Sequence, residues 1–142
     1  MDATGGWRWG RAGLHTARVA DVRTYAAEAR STDVLGRLDL SIRHHHVTVD
    51  GPPWNGFPGE EAMPGELFLG GIATCAVEVL QMFARDDGLP LGAVHVEVHA
   101  ELDPGDQPHP RHTLFSRVRM LVEAEGVTQP QAEELVERFK GR

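Results

Sequence analysis

PGELFLGGIATCAVEVLQMFARDD, residues 64–87, is the stretch on which the reading of this chain turns. From Leu67 to Ala84 its only strongly polar side chains are Glu78 and Gln81. The segment is therefore apolar on nearly every side of a 3.6-residue turn, and such a helix is expected to be buried as the spine of a domain. Pro64 suits the first helical position, Glu66 places an anion among the free amides of the first turn, and Gly88 followed by Pro90 ends the helix. Gly70 and Gly71 each cost about 1 kcal/mol relative to alanine in a helix. They predict a place where another backbone packs closely. A membrane span is the competing reading, but the run is interrupted by Glu78 and Gln81, has acidic flanks, and falls short of the roughly 20 apolar residues a bilayer requires. No membrane partner is expected.

At 142 residues with a net charge of −7 the chain reads as one acidic domain. Nucleic-acid binding rests on Lys and Arg neutralising phosphates, and no basic patch is present, so no nucleic-acid partner is expected. Cys75 is the sole cysteine. It has no intrachain disulfide partner, and no signal-like segment opens the sequence; both point to a reducing, cytoplasmic setting. Residues 1–14, rich in Gly and Arg around Trp7 and Trp9, read as a flexible arm ahead of a single domain over 15–142.

Residues 16–30 and 34–49 read as two strands of a hairpin, with Ser31 to Asp33 and Gly36 in the turn. In the second, Leu38, Leu40 and Ile42 alternate with Arg37, Asp39, Ser41 and Arg43, the pattern of a half-buried antiparallel strand. On one continuous strand His44 and His46 would share a face about 7 Å apart. Two histidines fall short of a metal site, and none is expected. Residues 50–65 hold four prolines and four glycines and form a long loop. In it Trp54 and Phe57 are candidates either to line a pocket or to pin the loop down. A second hairpin follows: Val94, Val96, Val98, Ala100 and Leu102 alternate with His95, Glu97, His99 and Glu101, and Leu114 to Ala124 returns with the same period. Thr128 and Gln131 form a capping box for a closing amphipathic helix, with Ala132, Leu135, Val136 and Phe139 on one face.

Pro64-Gly65-Glu66-Leu67-Phe68 and Gly71-Ile72-Ala73-Thr74-Cys75 resemble the P-x-E-L and A-x-C segment of the OsmC and Ohr superfamily. The resemblance runs over roughly 35–142, taking in Val49 to Pro53 and Gly88 to Leu91. It implies an α+β fold with an antiparallel sheet wrapped around a buried central helix, in an intertwined homodimer. The activity implied is that of a thiol-dependent peroxidase reducing organic hydroperoxides in the stress response, without a cofactor, and recycled by an external thiol reductant. Cys75 is the implied nucleophile. In the family a second cysteine and one more strand follow the last helix, so a chain continuing past Arg142 is expected. The family's peroxidases place a glutamate directly after the proline, where Gly65 stands here; Glu66, one residue later, resembles the less characterised OsmC-like branch.

The chemistry asks for a thiolate. Cys75 lies about 13 Å into its helix, beyond the reach of the helix N-terminus, and burial would oppose ionisation. A cation must come from elsewhere in the fold, and the resemblance points to an arginine of the N-terminal strands. Arg37 and Arg43 lead the candidates, ahead of Arg23 and Arg30. Glu66 is about 180° around the helix from Cys75, so it serves as a first-turn anion or acts across a dimer. The alternative is a small-molecule binding or structural stress-response protein, with an apolar pocket lined by Trp54 and Phe57 and an inert Cys75.

Overall fold

The computed structural model describes residues 22–141; the arm with Trp7 and Trp9, and residues 16–21 of the first expected strand, lie outside them. The described chain runs β1 (Glu28–Ser31), β2 (Arg37–Ile42), β3 (His45–Asp50), a single 3-10 turn (Pro53–Asn55), α1 (Pro64–Asp86), β4 (Val94–Glu101), β5 (Arg117–Ala124) and α2 (Gln129–Lys140). The strands form two antiparallel sheets, β1-β2-β3 and β4-β5. The expected α+β class is what the chain adopts.

The first sheet corrects one expectation. Residues 34–49 are two strands, β2 and β3, paired from Arg37↔Asp50 to Ile42↔His45. Arg43 and His44 make the two-residue turn between them, and Arg43 takes a left-handed φ of 57°. That conformation is usually given to glycine or asparagine. The turn therefore carries no residue that announces it. His44 sits at the hairpin tip and His46 in β3, where its Nδ1 lies 3.0 Å from the Ser41 hydroxyl, so the two do not share a strand face as expected. No group of three or more metal-ligating side chains occurs among the described residues.

The loop after β3 is fastened to this sheet. Gly51 N–H donates to Gly36 C=O at 2.7 Å, and the Phe57 ring lies over both glycines. A Cβ at Gly36 would come within 2.3 Å of that ring, and one at Gly51 within 2.2 Å. Gly36 also has a φ of 84°, so its turn requires glycine twice over.

The helix α1 spans the length expected of it. Glu66 Oε2 accepts the Met63 N–H at 2.8 Å and closes the first turn. Gly88, at φ 67°, stops it, and Leu89 N–H donates to Ala84 C=O at 2.8 Å. Its C-terminal half builds the core: Leu80, Phe83 and Ala84 pack with Leu135 of α2, flanked by Val94 of β4 and Val122 of β5. Among the described residues its N-terminal half is only partly covered: Phe68 stacks on Phe115 and Leu67 faces the first sheet, but one side stays open. Phe68 is 60% exposed, and a Cβ at Gly70 or Gly71 would meet nothing within 4 Å. Among the described residues of one chain, the all-round burial expected from the sequence and the close backbone contact at the glycine pair are therefore absent. By length and composition α1 could cross a membrane, but its C-terminal half packs with α2, β4 and β5 in the core.

The second sheet keeps the expected alternation along β4 and from Met120 to Ala124, but β5 begins at Arg117 rather than Leu114, and Leu114 and Val118 are exposed. Val94↔Ala124, Val96↔Val122 and Val98↔Met120 pair on the helix side, while His95, Glu97 and His99 face solvent. In α2 the Thr128 N–H donates to Gln131 Oε1 at 2.9 Å, the backward half of the expected capping box.

Candidate active site

Residues three and four apart along a helix share a face. Phe68, Gly71, Ile72, Cys75 and Val79 accordingly form one stripe on α1, and with Leu67 they make one wall of a groove of about 600 Å³. Phe139 and Lys140, from the last turn of α2, make the other. Cys75 is exposed rather than buried, because its small neighbours on the open side of α1 leave it uncovered among the described residues. Lys140 is the one charged residue among the described residues lining this groove. Its ammonium also pairs with Glu137 Oε1 at 2.5 Å in a solvent-exposed i, i+3 contact.

Of the catalytic and pocket residues expected from the sequence, Cys75 alone lines the groove. Glu66 is committed to capping α1. Arg43 is at the hairpin tip beside Thr24, Tyr25 and Ile42. Trp54 is 78% exposed on its 3-10 turn. Phe57 packs on Gly36 and Gly51, which makes it an anchor of the loop. Lys140 and Phe139 were missed as site residues: Phe139 reads from its period as part of the apolar face of α2, and nothing in the sequence places that helix beside Cys75.

Arg37 has a different occupation. Its Nε and Nη2 donate to Asp50 Oδ1 and Oδ2, both at 2.8 Å, and Nη2 also reaches Glu60 Oε2 at 2.7 Å. The Asp50 side chain is completely buried and further accepts the N–H groups of Glu60 at 3.0 Å and Glu61 at 3.2 Å. Hydrogen bonding from Arg37, then from those two amides, outweighs burial and holds the Asp50 carboxyl far below the usual carboxylate range. The same bonds to Asp50 and Glu60 raise Arg37 above the ordinary guanidinium value. This cluster ties the start of β2, the end of β3 and the chain approaching α1 into one rigid corner. On the far sheet Glu97 accepts from His99 and His95, each at 3.1 Å, and its carboxyl is lowered by those bonds in that order.

Two helices, two antiparallel sheets and a single cysteine halfway along the long helix define a recognisable class. The chain matches the model of the OsmC-like protein family over residues 57–142, and it belongs to that family. No curated protein sequence matches it. Among solved structures it is similar to an OsmC-like protein from Mycoplasma pneumoniae, with a TM-score of 0.71 at 13% identity over 84% of this chain and 82% of that one. It is similar also to an organic hydroperoxide resistance protein from Elizabethkingia anophelis, with a TM-score of 0.68 at 19% identity over 83% and 81%. A third is an organic hydroperoxide resistance protein OsmC from Legionella pneumophila, with a TM-score of 0.60 at 21% identity over 82% and 81%. At these identities the likeness is one of fold.

Proposed function

We propose that this OsmC-like protein is a thiol-dependent peroxidase that reduces organic hydroperoxides through Cys75, in a reducing cytoplasm. The observation that carries the reading is an exposed thiol set in the wall of an apolar groove, with one cation lining the same groove. The naming of two structural neighbours as organic hydroperoxide resistance proteins supports it.

In the proposed step the Cys75 thiolate attacks the terminal oxygen of R–O–OH. The O–O bond breaks, the alkoxide takes a proton to leave as R–OH, and the sulfur becomes a sulfenic acid. An external thiol then condenses with the sulfenic acid, releasing water and forming a mixed disulfide. A second external thiol restores Cys75 and leaves as the oxidised reductant. Negative charge grows on the departing oxygen, so a cation directed at it lowers the barrier.

The working unit we propose is a homodimer. The open side of α1, where among the described residues nothing lies beside Gly70 and Gly71, is a surface that a second copy would cover at close range. Arg37 is committed to two carboxylates. Arg43, exposed at a hairpin tip, is thereby the stronger candidate to approach the groove of a second copy.

The test is the mass of Cys75 after brief exposure to a small excess of cumene hydroperoxide. Sulfenic acid, trapped by dimedone, together with turnover in the presence of a dithiol and its loss in Cys75→Ser, is the expected result. A thiol still fully reduced would overturn the peroxidase reading and leave the groove as a binding site with an inert cysteine.

A further inference from the structure

We draw no further inference here: the strongest candidate, the groove between β5 and α2 lined in part by Met120, Val122 and Val136 and by the acidic side chains of Glu123, Glu133 and Glu137, carries nothing because nothing in the structure shows what covers it.

Discussion

Arg37 and Asp50 face each other across the first and last residues of the β2-β3 hairpin, joined by two parallel hydrogen bonds of 2.8 Å. The fork of the guanidinium matches the carboxylate edge to edge, and burial of Asp50 shields the pair from screening. Removing Arg37 leaves the buried Asp50 carboxylate uncompensated, and removing Asp50 leaves Arg37 with only the exposed Glu60, so either loss costs more than the pair as a whole contributes.

Asp50→Asn is therefore expected to destabilise the fold strongly, and Glu60→Gln only slightly, since the Glu60 side chain is 73% exposed. The pH dependence follows from the depressed Asp50 carboxyl. Its stabilisation is complete above the ordinary carboxylate range near pH 4 and is withdrawn as acid takes the pH below that range. Urea midpoints measured from pH 7 down to pH 2 should show a steep acid limb in the wild type and a shallower one in Asp50→Asn. Parallel limbs would disprove the assignment.

Leu135 links α2 to Leu80, Phe83 and Ala84 of α1 in a core with few members. With 2% of its surface exposed, Leu135→Ala should cost about 3 kcal/mol in denaturant unfolding. A loss below about 1 kcal/mol would mean that the two helices are held together by something other than this contact.

Gly70 and Gly71 separate two accounts of the bare helix face. If that face meets only water, Gly71→Ala should stabilise the chain by about 1 kcal/mol through helix propensity. If a second copy covers it, Gly71→Leu should shift the sedimentation profile toward monomer with the circular dichroism unchanged. The dimer predicts the second result.

Arg43 occupies a left-handed turn position that glycine takes without strain. Arg43→Gly should hold or raise the thermal midpoint, relief of about 1 kcal/mol being set against the greater freedom glycine gives the unfolded chain. A fall in the rate of Cys75 oxidation in this variant, with the fold intact, would identify Arg43 as the arginine that serves the thiol. An unchanged rate would remove it from the mechanism.

The sequence displayed those parts of the fold whose residues report on themselves. The alternation from Val94 to Glu101 and the Thr128 cap of α2 depend on neighbours close in the chain, and both stand in the structure, whereas Leu102, read as the next buried position, lies past the strand and is exposed. The hairpin tip at Arg43-His44 did not show, because the backbone bends there on residues that ordinarily continue a strand. The exposure of Cys75 did not show either. The composition of α1 says that it must be covered, but it does not say whether its own chain or another provides the cover. At the site, Cys75 was marked by its neighbours in sequence, whereas Lys140 reaches the groove through packing of α2 on α1, far from Cys75 in the chain. Long-range contact of that kind leaves no local pattern.

Every strand pairing described lies between consecutive strands, and the first hairpin, the second hairpin and the long helix each close on local contacts. Such pieces form quickly. While the ribosome is still adding the later segments, the helix bearing the cysteine is thus already shaped and has not yet met α2, presenting its oily flank to the crowded cell. The newborn chain is most vulnerable to aggregation in the interval before α2 emerges to pack on that flank.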